Sequence, residues 1–162
     1  HNLWADLFVK YQKEHYPEMH EVTNRMPVAE NIDDARRTTI DLMKAHPDMK
    51  GIVSFGSQGP IGAGRAVKEK RAKGKVFVYG MMIPSQAASL IKSGDIAMGI
   101  TYDPASAGYA ITAIADKVLK GEEIAQGLEI PSLGKADVDT EKRIIKFHKV
   151  LRVTKENIDS LY

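Results

Sequence analysis

The stretch GIVSFGSQGPIGAG, residues Gly51–Gly64, carries the pattern that decides the fold of this chain. Residues 52–55 predict a short buried strand, which is followed by a loop between two glycines. Pro60 suits the first turn of a helix, where a missing backbone N–H breaks no hydrogen bond. In open α/β sheets, loops of this kind stand at the carboxyl ends of strands, where ligands bind. We therefore predict a small-ligand pocket whose wall includes residues 55–58.

Three well-known glycine motifs do not fit this loop. A nucleophile elbow, G-x-S-x-G, needs one more residue between Gly56 and Ser57. A P-loop needs a Lys followed by Ser or Thr, and no such pair follows the loop. The dinucleotide-binding spacing G-x-G-x-x-G is absent because Val67 stands where the last glycine belongs. We interpret the glycines as a turn with positive φ and close helix–strand packing, in preference to a phosphate-binding role.

Composition narrows the classes of function. A chain of 162 residues is long enough for one domain with a full core. The balance of 23 Lys and Arg against 21 Asp and Glu argues against a nucleic-acid-binding surface. Because there is no cysteine, disulfides, thiol nucleophiles and Cys-based metal sites are excluded. The sequence has no signal-peptide pattern and no apolar run of transmembrane length. Its start inside a predicted helix, at His1, indicates a processed or truncated product.

Helical and strand-like patterns alternate along the first part of the chain. Helices are predicted at residues 2–15, from Asn31 or Asp33 to 45, and after each later strand. The predicted strands lie near residues 21–27, 52–55, 76–80 and 96–101. This alternation predicts an α/β fold with a doubly wound parallel sheet, in a Rossmann-like three-layer α/β/α arrangement with five helices. After Gly121 the pattern breaks, and we expect residues 122–162 to wrap back or to cross to another lobe.

Three loops that follow predicted strands are expected to meet at one edge of the sheet. They are Phe55–Gln58, Met81–Pro84 and Tyr102–Pro104. Asp103 either accepts hydrogen bonds from ligand hydroxyls or caps the helix that begins at Pro104, and both interpretations stay open. Tyr102 and Phe55 either stack on a sugar-like ring or pack as edge aromatics. Met81 and Met82 are better interpreted as filler, whereas His1 and Asn2 stand at a helix N-terminus, which suits a polar ligand.

A catalytic set is hard to assemble from this sequence. Ser57, Asp103 and His148 are the residue types of a triad, but nothing in the sequence places His148 near the loops. The histidines lack the spacing H-x-x-x-H, and adjacent acidic pairs diverge on a helix. We therefore expect binding without catalysis, with no catalytic residue, no metal site and no cofactor. A hydrolase that acts through Ser57 is the least favoured alternative.

Several segments, in their order and spacing, carry a resemblance to a known family. They are DLMKAHPDMKGIVSF (41–55), VFVYG (76–80), IKSGDI (91–96) and ADKVLKGE (115–122). Together they resemble the C-terminal lobe of the periplasmic sugar-binding proteins of ABC importers. The tail segments EIPSLGK (129–135) and VTKENIDSLY (153–162) resemble the autoinducer-2-binding and rhamnose-binding branch of that family.

The resemblance implies a type I fold, in which two α/β lobes on a hinge close over a sugar. It implies that residues 1–121 are a ligand-binding α/β lobe without its first βα unit, and that 122–162 form a hinge tail toward a missing N-terminal lobe. The ligand-binding positions that it implies are His1, Asn2, Phe55, Gly56, Ser57, Met82, Tyr102 and Asp103. Ribose-type members commonly have Asn, Asp and Gln at the three loops. The nearest matches here are less polar, which favours an autoinducer-2-like or deoxysugar ligand.

These implications predict the solute-binding component of a sugar ABC transporter, exported to the periplasm or anchored at the cell surface. Its partners would be a small sugar and a membrane permease. The alternative is the effector-binding domain of a sugar-responsive LacI-type transcription repressor, which shares the fold. The tail that is expected to cross between the lobes contains the segment KENID (155–159) near its end, and this favours the transport protein. We also expect the 162 residues alone to bind sugars weakly, to have an under-packed tail, and to expose an apolar patch near the loops or under the tail that promotes self-association.

Overall fold

The computed structural model describes residues 1–162, whose helices and strands alternate from residue 32 to residue 119. The helices are α1 (Asn2–His15), α2 (Ile32–Ala45), α3 (Gly59–Glu69), α4 (Pro84–Ser93) and α5 (Pro104–Leu119), with a final 3-10 turn at Ile158–Ser160. The strands are β1 (Gly51–Ser54), β2 (Phe77–Met81), β3 (Met98–Thr101), β4 (Glu129–Ile130), β5 (Gly134–Asp139), β6 (Ile144–Phe147) and β7 (Leu151–Val153). No helix combines the length and the apolar character that a membrane crossing needs.

The chain folds into two units, which we describe separately. The first unit contains His1–Thr101 together with Arg152–Tyr162, and the second contains Tyr102–Leu151. The boundary at Tyr102 places α5 with the strands that follow it, whereas the sequence pattern changes only at Gly121. The second unit therefore begins where β3 ends.

The first unit is built on a parallel sheet. Its strand order is β1-β2-β3-β7. β1 pairs in parallel with β2, so that Gly51 lies opposite Phe77, and β2 pairs in parallel with β3, so that Tyr79 lies opposite Met98. Parallel strands with helices in every crossover confirm the predicted α/β fold. They also bring the ends of the first three strands to one edge of the sheet.

The predicted strand at residues 21–27 is wrong. These residues form bends and extended chain, and all of them except Thr23 are exposed. In doubly wound sheets of order 2-1-3 the second strand pairs with the first. No strand precedes residue 21 in these 162 residues, and β1 pairs only with β2, so the segment has no ladder partner. The fourth strand of the sheet is instead β7, from the end of the chain.

The end of the chain completes the hydrophobic core of the first unit. Val153 and Ile158 are fully buried, in one cluster with Ile61, Met82 and Ile91. The prediction of an under-packed tail is therefore wrong for these residues. The chain ends in a single 3-10 turn, whose Asp159 forms an ion pair with Lys92 on α4.

Helix α1 forms where its amphipathic pattern predicted, yet its apolar side chains stay in solvent. Leu3 is 68% exposed, Leu7 57% and Tyr11 56%, and Trp4 is also exposed. The only buried residue of the helix is Gln12, whose Nε2 donates to the carbonyl of Met19 at 2.6 Å. An apolar patch is thus exposed on this helix.

The second unit combines α5 with a small antiparallel sheet of order β4-β5-β6. Ala136 lies opposite Phe147, and Ile130 lies opposite Gly134. The side chain of Gln126 holds the carboxyl end of β5, because its Nε2 donates to the carbonyl of Val138 at 2.7 Å and its Oε1 accepts from the same residue's N–H at 3.2 Å. The segment after residue 121 is therefore not another βα unit, in agreement with its sequence pattern.

Candidate ligand-binding site

Glycines let the loop after β1 lie directly against the segment that leads into α2. A Cβ atom on Gly56 would lie 2.5 Å from the carbonyl oxygen of Ala29, and one on Gly62 would overlap the carbonyl oxygen of Ile32. The expectation of positive φ at this turn is wrong, since neither Gly56 nor Gly59 has it. The glycines are needed for space: a side chain there would force the two segments apart.

Backbone hydrogen bonds hold the two segments together. The carbonyl of Ala29 accepts from the N–H of Gln58 at 3.1 Å and from that of Gly59 at 2.7 Å. These N–H groups stand at the start of α3 and have no partner within the helix. The residues around Ala29 are therefore fixed relative to the loop after β1.

A carboxylate from the same segment organises the polar side chains of this loop. Glu30 Oε2 accepts from the hydroxyl of Ser57 at 2.8 Å, and Oε1 accepts from the Ser57 N–H at 3.2 Å. The Nε2 atom of His1, at the N-terminus of α1, lies 3.3 Å from Oε1. The structure thus brings together the predicted site residues His1 and Ser57. Sequence reasoning missed Glu30, because it belongs to no motif and lies outside the three loops.

A second contact joins the loop after β1 to the first turn of α4. Gln58 Nε2 donates to Gln86 Oε1 at 3.3 Å and to the Ser57 hydroxyl at 3.4 Å. Because β1 and β2 are parallel neighbours, the loops that follow them lie at the same edge of the sheet, as predicted. Gln58 and Gln86 leave further amide groups for hydrogen bonds to a ligand.

Aromatic rings flank this polar network. The ring of Phe55 meets the ring of Phe8 edge to face, with centroids 5.9 Å apart. The ring of Trp4 lies 6.1 Å from that of His1. Phe55 is partly exposed just after the end of β1.

Two other predicted site residues are placed differently. Met82 is only 1% exposed and belongs to the hydrophobic core, packed so closely on Gly99 that a Cβ there would overlap its thioether. Its side chain therefore cannot reach a ligand at the surface, and the interpretation of this methionine as filler is the correct one. Asn2 is exposed on the first turn of α1.

In the second unit, Asp103 is the N-cap of α5. Its Oδ1 accepts from the N–H of Ala105 at 3.1 Å, and its Oδ2 accepts from the N–H and hydroxyl of Ser106 at 3.1 and 2.5 Å. The hydrogen bond from the Ser106 side chain, followed by that from the Ala105 N–H, lowers the pKa of Asp103 below its ordinary value of 3.8. Of the two interpretations left open by the sequence, the structure confirms capping.

An apolar cleft of about 350 Å³ lies beside this cap, within the second unit. Tyr102, Asp103 and Lys149 supply its polar groups, and Ile114 and Phe147 are among its apolar lining. Close by in the chain, His148 Nε2 contacts Asp137 Oδ2 at 2.7 Å. His148 is therefore paired with a carboxylate other than Asp103.

Acid pH is expected to abolish the contribution of the Asp103 cap. Because the folded state lowers the pKa of this carboxyl group, its ionised form stabilises the protein above the ordinary carboxyl pKa, and that contribution is lost as pH falls through the lowered value. We expect Asp103→Ala to lower the melting temperature at neutral pH, and the difference from wild type to shrink below pH 3.8. Thermal unfolding, followed by circular dichroism at neutral pH and below pH 3.8, tests this prediction. Glu123→Ala, which truncates an exposed acidic side chain, is the control. An equal loss at both pH values would contradict it.

Comparison with known proteins agrees with this architecture. Residues 1–123 match the model of the family described as periplasmic binding protein domain. The ribose import binding protein RbsB of Salmonella typhimurium is 32% identical over 84 residues, which are 52% of this chain and 28% of that protein. The match covers less than a third of that relative, so the chain corresponds to only a part of it.

Two solved structures share the fold over nearly the whole chain. LsrB from Clostridium saccharobutylicum, in complex with AI-2, has a TM-score of 0.82 at 20% identity and covers 98% of this chain. An ABC transporter solute-binding protein from Clostridium phytofermentas, with bound L-rhamnose, has a TM-score of 0.79 at 18% identity and covers 99% of this chain. This chain spans 54% of each of those two chains. The family match covers most of the sequence and the fold agrees with it, so the chain belongs to the periplasmic binding protein family.

Proposed function

We propose that this chain is a sugar-binding lobe of a solute-binding protein that serves an ABC importer. The observation that carries the proposal is the network of Glu30, Ser57 and His1 at the carboxyl end of β1, beside the partly exposed Phe55. Sugars present hydroxyl groups around an apolar ring face. A cluster of hydrogen-bonding side chains next to an aromatic ring matches both features.

The ligand proposed is a small sugar with a low number of polar groups, such as a deoxysugar, or an autoinducer-2-like molecule. The loop after β1 offers one hydroxyl, Ser57, and one amide, Gln58, next to the ring of Phe55. Met82 offers no polar group at all and is buried. Relatives of the same fold are described with bound L-rhamnose and AI-2, which supports this class. Asn2, Tyr102 and Asp103 stay proposed as ligand contacts on the family match alone.

The remaining parts of the proposal follow from the family. The relatives are binding proteins for import, so we propose that the protein has no enzymatic activity of its own. We propose that it works outside the cytoplasmic membrane, in the periplasm or anchored at the cell surface, and delivers its ligand to a membrane permease. A second, N-terminal lobe would complete the enclosure of the sugar. The repressor alternative shares the fold but has no observation in its favour.

Calorimetric titration of the full-length protein as encoded tests this function. The panel is L-rhamnose, D-fucose, D-arabinose, D-ribose and autoinducer-2, and binding of at least one of them is expected. Phe55→Ala should weaken that binding by about tenfold, since it removes an aromatic ring contact. Phe77→Ala is the matched control, because this half-exposed ring stands at the opposite end of the sheet, across from Gly51. Absence of heat for every member of the panel would refute the proposal.

A further inference from the structure

Glu30 contacts two predicted ligand-binding residues that come from different parts of the chain. We infer that Glu30 is the positioning residue of the sugar site, and that its negative charge restricts the site to uncharged ligands. This inference rests on the function proposed above and goes beyond it in naming the residue that sets ligand charge.

The carboxylate determines which groups its neighbours can present to a ligand. An ionised carboxylate only accepts hydrogen bonds. The hydroxyl proton of Ser57 is donated to Glu30 Oε2 at 2.8 Å. One lone pair of the serine oxygen accepts from Gln58 Nε2 at 3.4 Å, and the other is left for a further donor. His1 Nε2 lies 3.3 Å from Oε1, within ion-pair distance when the imidazole is protonated.

The result is a cluster of acceptors that suits hydroxyl donors. Glu30 accepts two hydrogen bonds, both from Ser57, out of about four lone-pair positions that a carboxylate offers. The remaining carboxylate lone pairs and the free lone pair of the Ser57 oxygen can accept from ligand hydroxyl groups. A sugar hydroxyl can donate to such groups, whereas a carboxylate or phosphate on the ligand brings only further acceptors.

No arginine or lysine neutralises Glu30. The nearby arginines in sequence are paired with other carboxylates: Arg25 with Asp6, Arg36 with Glu69, and Arg37 with Asp34. Sites for anionic ligands normally supply Arg or Lys. An acidic sugar would therefore face an acidic side chain whose only charged or titratable partner is His1. Discrimination against anions follows from this arrangement.

The position of the carboxylate is set by the backbone next to it. Ala29, the preceding residue, accepts hydrogen bonds from the N–H groups of Gln58 and Gly59 at the start of α3. Gly56 packs against the same alanine. Movement of Glu30 relative to Ser57 would break these backbone contacts. The backbone of Glu30 is therefore held in a fixed position relative to the loop after β1.

The decisive experiment compares two ligands that differ in charge at one carbon. D-fucose and D-galacturonate share the galactose ring and differ in a methyl group against a carboxylate. On the full-length protein, titration calorimetry should show D-fucose bound more tightly than D-galacturonate. Glu30→Gln keeps the shape of the side chain and removes the charge. We expect Glu30→Gln to weaken D-fucose binding. We also expect it to lower the ratio of the affinity for D-fucose to the affinity for D-galacturonate by about tenfold.

Glu18→Gln is the matched control, since it removes one exposed acid near α1 and should leave the ratio unchanged. An unchanged ratio in Glu30→Gln, with D-fucose still bound by wild type, would overturn the inference and leave the proposed function intact. A wild type that binds D-galacturonate more tightly than D-fucose would also overturn it.

A readout without ligand keeps the inference testable if D-fucose is not bound. The Ser57 N–H donates to the Glu30 carboxylate, so its amide NMR resonance at neutral pH should move in Glu30→Gln, where an amide oxygen replaces the charged acceptor. The resonance should stay in place in Glu18→Gln. An unmoved Ser57 resonance in Glu30→Gln would show that the carboxylate does not hold the loop.

Discussion

Ile158→Ala is expected to lower the free energy of unfolding by about 2–5 kcal/mol, the usual cost of truncating a buried isoleucine. Ile158 is completely buried and packs in the core cluster that also contains Met82 and Ile91. It comes from the last 3-10 turn of the chain, which is short and has little stability of its own. The core therefore depends on a residue that is held almost entirely by tertiary contacts.

Urea denaturation of the full-length protein, followed by far-ultraviolet circular dichroism, measures this loss. Val150→Ala is the control in the same part of the chain, because Val150 is 61% exposed and its truncation should change stability by less than about 0.5 kcal/mol. If Ile158→Ala were as mild as Val150→Ala, the last turn would not belong to the core of the first unit.

Gly62→Ala is expected to destabilise the protein by about 1–3 kcal/mol, although alanine is the better helix former. The added methyl group would overlap the carbonyl oxygen of Ile32 and lie 2.6 Å from the Cβ of Ala35. These atoms belong to α2, so the two helices must separate. The movement also shifts the segment before α2, which carries Glu30, and we expect weaker ligand binding in the same variant.

Gly108→Ala is the matched control for this prediction. Gly108 is also a helical glycine, in α5, but an added Cβ would meet no atom within 4 Å. Without a clash, the gain in helix propensity should stabilise the protein by about 0.5–1 kcal/mol. In urea denaturation, the free energy of unfolding should therefore fall in Gly62→Ala and rise in Gly108→Ala. A change of the same sign in both variants would show that lack of space is not the reason for glycine at position 62.

Local signals determined the helices and their ends. Asn31 accepts from the N–H groups of Asp33 and Asp34 at 3.0 Å and so caps α2. Pro104 opens α5 behind the Asp103 cap, and Gly94 ends α4 with a left-handed φ of 78°. Each of these effects acts between residues at most four positions apart. They are therefore readable from the sequence, as is the alternation that predicts a parallel α/β sheet.

The candidate site could be predicted only in part. The loop after β1 and the N-terminus of α1 were found because parallel strands end at one edge and helix N-termini suit polar ligands. Met82 was carried over from the family match, yet its side chain turns into the core. Successive residues of a strand or its extension point to opposite faces, so the depth of a side chain depends on which layer covers it.

By itself, the sequence determined the α/β class, the five helices, the parallel order of β1, β2 and β3, and two of the loops that meet. The tertiary structure alone decided that residues 21–27 form no strand, that β7 returns to the sheet, and that Glu30 lies against Ser57. A strand needs a neighbour for its backbone hydrogen bonds, and Glu30 needs Gly56 to let the two segments touch. Both requirements join residues far apart in the chain, which no local pattern specifies.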